Sequence, residues 1–336
     1  MNLDGATVVI VGASSGIGRA TAHAFAREGA NLVLAARRLD LLEQAVEECR
    51  KLGGDALAVE ADVTDPGDMR GLVDTALDAF GEIDVWINNA GVGAVGWFEQ
   101  VPLATHRRVL EVDLLGALNA SHAVLRHFTQ VGKGVLINTC SIGSWVANPM
   151  AAAYTASKFG LHGLTESLRI DMKRYPGIHV CGIYPAVVDT PGLRHFANYT
   201  GRALNPSGPM QEPERIAAEM VRLAKHPRAR LAVGLSASLG RLAYGLAPDL
   251  VGSTLAATMG GAVNRAEPGE RTPGNLFGPP ATGWACGAAA SGPAAPPPGW
   301  PRRAPSAAWP WRPCRWAPGT DPTAPGTRVI VKSRVH

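Results

Sequence analysis

The stretch "ATVVIVGASSGIGRA", residues 6–20, places Gly12, Gly16 and Gly18 directly after a β-branched run and at the start of a helical pattern. A short apolar, β-branched run of this kind reads as a strand buried on both faces. Gly12 suits the tight turn that leaves the strand. Gly16 lets the backbone approach a pyrophosphate, and Gly18 permits close helix–strand packing. Ser14, Ser15 and Ile17 complete the turn. The helix that follows offers its first N–H groups to an anion. The spacing is GxxxGxG rather than GxGxxG, and a turn required for packing alone is the competing interpretation.

Outward from this turn, short β-branched runs alternate with stretches of helical periodicity. Residues 31–36, 55–63, 83–91, 134–141, 178–185 and 229–235 read as further strands, and 105–130 and 152–175 as the longest helices. This alternation predicts β-α-β units and an α/β fold, a doubly wound parallel sheet of about seven strands. Its ligand should sit at the strands' C-terminal ends.

Composition bounds the function. Of the 336 residues, 46% are apolar and 18% charged, enough for a large core. The net charge of +4 is uneven: residues 281–336 carry seven Lys/Arg against Asp321, which leaves residues 1–280 near −2. No basic face argues for nucleic acid. The five cysteines lack CxxC or His/Cys ligand spacing, which fits a reduced cytoplasmic protein without a structural metal. The nine histidines, His106, His122, His127 and His162 among them, likewise lack ligand spacing. The N-terminus has no basic region before an apolar one, and no apolar run reaches transmembrane length. The apolar stretch 239–261 is broken by Arg241, Pro248 and Asp249. It reads as a buried or interfacial helix pair that lengthens a substrate wall or contacts a membrane surface peripherally.

Fifteen of the 26 prolines and five of the eight tryptophans lie from Pro268 onward. The expected organisation is a single domain over 1–265 and a low-complexity Pro/Ala/Gly/Arg/Trp tail over 266–336, disordered across 277–336. A Pro-rich ligand for aromatic-lined grooves is the functional alternative for the tail. A GC-rich coding region read out of frame would give the same composition, and would mean that the native C-terminus is lost.

The second strand ends in "LAARRLD", residues 34–40. An acid here would accept a hydrogen bond from the ribose 2′-OH of NAD. Ala36 stands in that place, followed by Arg37 and Arg38, and a guanidinium suits a phosphate. NADP is therefore expected in preference to NAD. Two solvated arginines opening the next helix are the alternative.

"GASSGIG", "NNAG" (88–91) and "YTASK" (154–158), in this order, resemble the short-chain dehydrogenase/reductase family in its ordinary, non-extended branch, over about residues 4–265. The resemblance implies one Rossmann domain that transfers hydride between a nicotinamide and a carbonyl/alcohol pair. It also implies a homodimer or homotetramer formed through the helices carrying Leu114 and Tyr154. Asp62 and Val63 would contact the adenine. Asn89, Ala90 and Gly91 would line the cofactor, and Pro185, Val188 and Thr190 in "YPAVVDTP" would cover the carboxamide. Ala186 stands where the family usually has glycine. Ser141, 13 residues before Tyr154, would be the catalytic serine, with Ser144 as a fallback.

The chemistry is sound without the family name. A carbonyl that receives hydride develops negative charge on oxygen and needs a proton there. Tyr154 can donate it, and an ammonium one helical turn away at Lys158 favours the phenolate that remains. Lys158 can also bond the nicotinamide ribose, while Ser141 holds the substrate oxygen. Asp113 departs from the family's usual asparagine, whose role there is to shape a helix and support water reaching the lysine. An aspartate cannot donate when ionised, so retained activity with an altered pH dependence is expected.

The loop 189–213, with Phe196, Tyr199, Leu204 and Met210, is long enough for a lid over an apolar substrate. Arg194 and Arg202 leave room for an anionic group. Trp97 and Phe98 could wall the cleft or simply pack. The expected activity is an NADP-dependent carbonyl reductase or alcohol dehydrogenase. A nucleotide-binding regulatory or scaffold protein is the alternative.

Overall fold

In the computed structural model, which describes residues 1–204 and 210–278, the chain first runs through β1 (Thr7–Val11), α1 (Gly16–Arg27), β2 (Asn31–Ala36), α2 (Leu39–Lys51) and β3 (Ala56–Glu60). Then follow α3 (Pro66–Phe80), β4 (Val85–Asn88), the two-residue β5 (Ala94–Val95), α4 (Leu103–Leu110), a π-helical turn (Glu111–Leu115) and α5 (Gly116–Val131). After these come β6 (Lys133–Thr139), α6 (Ala152–Asp171), β7 (Gly177–Pro185), the short α7 (Pro191–Arg194) and β8 (Ala197–Asn198). The last are α8 (Pro213–Lys225), β9 (Arg230–Val233), α9 (Leu235–Leu246) and α10 (Pro248–Arg265).

Local chemistry sets several of these boundaries. Asp65 caps α3 by accepting from Gly67 N at 2.6 Å, with Pro66 in the first turn where its missing N–H costs nothing. The same helix ends at Gly81 with φ of 81°, a left-handed closure that glycine takes freely.

Seven strands form one sheet in the order β3-β2-β1-β4-β6-β7-β9, every pairing parallel. All seven predicted strands are present: β2 has the predicted bounds, β6 and β7 begin one residue earlier than predicted, and the others are shorter. Alternate residues of β1 feed the two faces. Val8 and Ile10 pack with Phe25 of α1, Leu42 of α2 and Met220 of α8. Val9 and Val11 belong to the other layer, with Leu72 of α3, Val109 of α4, Val124 of α5 and Met172 just beyond α6. Burial on both faces is why these strands are continuously apolar. β1 pairs with both β2 and β4, so the strand order reverses beside it, and a crevice opens there at the C-terminal edge.

Between β4 and β6 a polar network fills part of the core. Asn88 accepts from Trp86 Nε1 at 2.8 Å and donates to Asn138 Oδ1 at 2.8 Å and Ser121 Oγ at 3.0 Å. Asn138 donates onward to Thr165 on α6 at 2.9 Å. The network couples the two central strands to the helices that carry the site.

Three features differ from expectation. The helix predicted over 105–130 is interrupted by the π-helical turn that contains Asp113. A small parallel sheet, β5 with β8, ties the loop after β4 to the predicted substrate loop, and two residues per strand leave no periodicity to read. Packing also continues past the boundary expected at residue 265. Arg202 bridges Pro268, Asn198 bridges Thr272, and Leu276 is fully buried. Proline content marked a change of composition there, while the apolar contact of Leu276 continues the body. The expectations for residues 279–336, including the disordered tail, Cys286 and Cys314, lie outside the described residues, as do residues 205–209 of the predicted loop.

Candidate active site

The turn after β1 uses each glycine differently. Gly12 has φ of 86°, and a Cβ on it would lie 2.6 Å from Ala90 N. Gly16 has φ of 53° and faces Thr190, whose Cβ would stand 3.1 Å from an added Cβ. A Cβ on Gly18 would run into the carbonyl oxygen of Gly12. The loop after β7 thus closes directly over the turn. Asn89 steadies it by donating from Nδ2 to Gly12 O at 3.2 Å. Ser15, at the N-cap of α1, makes no side-chain capping bond. The first N–H groups of a helix lack internal partners, so this turn is a cradle for an anion. Ser14, Ser15 and Ile17 are half-buried along it.

The residues expected to react gather at the ends of β6, β4 and α6. Ser141 follows β6 as the cap of a short 3₁₀ turn, its Oγ accepting from Gly143 N at 3.0 Å. A Cβ on Gly143 would lie 3.3 Å from Tyr154 Cε1 and 3.4 Å from Ser141 Oγ, so only a glycine's width separates the two hydroxyl-bearing side chains. Ser144 is buried and donates no free face: its Oγ accepts from Ser141 N at 3.2 Å. Ser141, half-buried, is the serine that faces the cleft.

Lys158 is buried one turn along α6 from Tyr154, its Nζ 5.7 Å from the centre of the tyrosine ring. It donates to Thr139 O at 3.2 Å and lies 3.8 Å from Asp113 Oδ2. Burial acts to lower its pKa, but the Asp113 carboxylate and the neighbouring phenol and thiol outweigh this and hold the ammonium above its ordinary value. Asp113 is fully enclosed. Its Oδ1 accepts from Val92 N at 2.7 Å, and its Oδ2 accepts from Ser157 Oγ at 3.4 Å. Burial pushes this carboxyl up to about 6, against the pull of Lys158. The π-helical turn turns Asp113 toward β4, and such turns recur at functional positions. Gly91 fits beside the pair, since a Cβ there would stand 3.7 Å from Lys158 Nζ.

At the far end of the crevice, Asp62 holds Thr64 through both its N–H, at 2.9 Å, and its hydroxyl, at 2.8 Å. It also accepts from Arg108 at 3.2 Å. These partners keep its carboxyl below the usual range although burial opposes them. Val63 is buried beside it. Arg37 lies at the end of β2, while Arg38 pairs outward with Asp40. Pro185 and Val188 are buried at the end of β7, and Thr190 caps α7.

A family model for short chain dehydrogenases matches residues 6–198, more than half of the chain. The chain belongs to the short-chain dehydrogenase family. Cyclohexanol dehydrogenase of Acinetobacter sp. is 31% identical over 62% of this chain and 83% of that protein. Cis-4-hydroxycyclohexanecarboxylate dehydrogenase of Sinomonas cyclohexanicum is 37% identical over 64% of this chain and 88% of that protein. Among solved structures, a short-chain dehydrogenase/reductase of Burkholderia phymatum in complex with NAD has 25% identity and a TM-score of 0.67, covering 74% of this chain and 96% of that one. The chain is an oxidoreductase with the nucleotide-binding fold of its family.

In this short-chain dehydrogenase, sequence reasoning missed several groups that hold the site. Thr139 supplies the carbonyl that receives Lys158, and Ser157 ties Tyr154 O to Asp113. Ser157 lies inside the quoted "YTASK", three residues after Tyr154, so helical spacing could have found it. Arg108 and Asn275 carry no local signal; they reach the crevice only through the fold. Trp97 and Phe98 point outward, Phe98 stacking on His106 with ring centres 4.7 Å apart. Phe196, from the predicted substrate loop, instead faces Tyr154 at 5.9 Å between ring centres.

Proposed function

We propose that the protein is an NADP-dependent alcohol dehydrogenase or carbonyl reductase acting on an apolar, ring-bearing secondary alcohol or its ketone. The observation that carries this is the joint placement of Ser141 and Tyr154 across Gly143, with Lys158 buried behind them beside an uncapped helix N-terminus. Gly12, Ser14, Ser15, Gly16, Ile17 and Gly18 would hold the pyrophosphate, with Asn89, Ala90 and Gly91 along one side and Pro185, Val188 and Thr190 along the other. Asp62 and Val63 would take the adenine, and Arg37 the 2′-phosphate. The Burkholderia relative holds NAD, so the fold itself leaves the choice of cofactor open. Arg37 in place of an acid favours NADP.

A bound nicotinamide supplies the hydride in reduction and accepts it in oxidation. In reduction Ser141 donates a hydrogen bond to the substrate oxygen and Tyr154 gives it a proton. Lys158 stabilises the phenolate left behind, since its ammonium is fixed by Thr139 and Asp113. Phe196 and the apolar face of α9, where Gly240 abuts Ile142, would enclose the substrate ring. The two relatives named for cyclohexanol and for a hydroxycyclohexanecarboxylate support a ring alcohol. Arg194 or Arg202 would receive a carboxylate if one is present.

Turnover of cyclic ketones and alcohols with NADPH and NADH tests the proposal. Tyr154→Phe should lower kcat by about 10²–10⁴, the usual contribution of a positioned acid. Arg37→Ala should weaken NADPH roughly ten- to a hundredfold and spare NADH, as loss of charged hydrogen bonds requires. Absence of turnover with every substrate would favour a nucleotide-binding scaffold, and a preference for NADH would overturn the role of Arg37.

We further assign a homo-oligomer through α5 and α6. Leu115 at the end of the π-helical turn, Leu118 on α5 and Phe159 on α6 are exposed apolar side chains. Among the described residues no helix is long and apolar enough to cross a membrane.

A further inference from the structure

The guanidinium proposed to receive the cofactor's 2′-phosphate is already engaged. Arg37 Nη2 donates to Asn275 O at 3.0 Å, and its Nη1 to Leu276 O at 3.5 Å. Arg108, which also holds Asp62, donates from Nε to the same Leu276 carbonyl at 3.3 Å. Leu276 has no exposed surface and belongs to the apolar cluster that contains Ala61, Val63 and Val112. One segment from the far end of the described chain thus meets Arg37 directly, reaches Asp62 through Arg108 and shares an apolar cluster with Val63.

That segment is docked on its other side as well. Thr272 and Asn198 exchange both backbone hydrogen bonds, at 2.8 and 2.9 Å, and Asn275 N donates to His195 O at 3.0 Å. Gly274 turns with φ of 57°, and a Cβ on it would lie 2.7 Å from Ala197 N and would run into His195 O. Only a glycine lets the strand lie this close. The Asn275 side chain, by contrast, buries an Oδ1 that has no partner among the described residues, so this docking is incomplete.

We propose that residues 272–277 are a latch, closing the adenosine end of the cleft and yielding to the nucleotide. The proposal rests on the reading of this cleft as an NADP site. The latch holds Arg37 with neutral carbonyl acceptors. A phosphate gives charge-assisted bonds about twice as strong, so a 2′-phosphate can take the guanidinium over. A ribose hydroxyl cannot do the same. Burial already costs the Arg37 charge, lowering its pKa, which adds to the gain from an anionic partner. The latch therefore makes opening depend on the phosphate that distinguishes NADP from NAD. Any population held closed lowers apparent affinity by the open fraction.

The test is calorimetric titration of the full chain with NADPH and with adenosine 2′,5′-bisphosphate, which carries only the adenosine half. Two variants separate the latch from the groups that bind. Leu276→Ser removes the buried plug, and Gly274→Val lifts the segment without changing any group of the cleft. Each should bind both probes about tenfold more tightly, the factor for a latch closed about nine-tenths of the time. Saturating NADPH should also speed amide exchange over 272–278 in the wild-type protein. Should Leu276→Ser fail to fold by circular dichroism, Gly274→Val and the exchange measurement decide alone. Affinity unchanged or weakened in the folded variants, with slower exchange on binding, would make the segment a wall of the site and overturn the latch. Binding of neither probe by any of the three proteins would overturn the cofactor reading, and the latch with it.

Discussion

Asp113 shows how one side chain can alter the electrostatics of a site without altering its shape. An amide in its place would carry no charge, whereas this carboxyl is enclosed, 3.8 Å from Lys158, and lifted by burial to about 6. Above that pH its charge attracts the ammonium; below it the attraction is lost while Lys158, held above its ordinary value, stays cationic. The wild-type rate should therefore fall as pH drops through about 6, and Asp113→Asn should lack that limb. A kcat/KM profile from pH 5 to 9 for both proteins checks this, and superimposable profiles would show the position to be indifferent. That Asp113 replaces an asparagine was legible from the sequence. Its enclosure was not, because burial arises from β4, α6 and the π-helical turn together. The same holds at Gly18, whose need for glycine comes from the carbonyl of Gly12, set opposite by the turn.

At the scale of elements, α6 is held to the sheet's edge by charge as well as by packing. Glu166 on α6 accepts from Arg230 of β9 at 2.6 Å and from Arg169 at 2.7 Å. The hydrogen bond from Arg230, with that from Arg169, draws its carboxyl down to about 2. A carboxyl depressed in the folded state stabilises the fold fully above its ordinary value of 4.5, and that contribution is lost as pH falls from there toward 2. Glu166→Gln should melt below the wild type near neutrality, and the gap should close progressively as pH falls below 4.5. Melting curves across pH 2.5–7 measure it; a gap independent of pH would mean that the pair acts by shape alone. Strand and helix order was readable from alternating runs, since strands buried on both faces must be apolar throughout. The π-helical turn and the β5–β8 pairing were not, because five residues and two residues per strand are too few to show a period of their own.

At the scale of the whole molecule, the face of α5 and α6 remains to be accounted for. Leu118 and Phe159 lie exposed on it, and apolar side chains so placed mark association surfaces. The wild-type protein should sediment as a dimer or tetramer, and the pair Leu118→Glu and Phe159→Glu should shift it toward monomer. Analytical ultracentrifugation decides, and a monomeric wild type removes the assembly. Position along the chain was a poor guide to the role of residues 266–278. Their composition resembles the proline-rich sequence that follows, yet Leu276 is buried and Asn275 reaches Arg37 across 238 residues of chain. By itself the sequence determined the parallel sheet and the glycine turn, because turn geometry and buried-strand composition are local properties, and its family motifs pointed to Ser141, Tyr154 and Lys158 as the proposed reacting groups. Only the tertiary structure decided what surrounds Asp113 and what occupies Arg37, because burial and long-range contact depend on which distant segments the fold brings together.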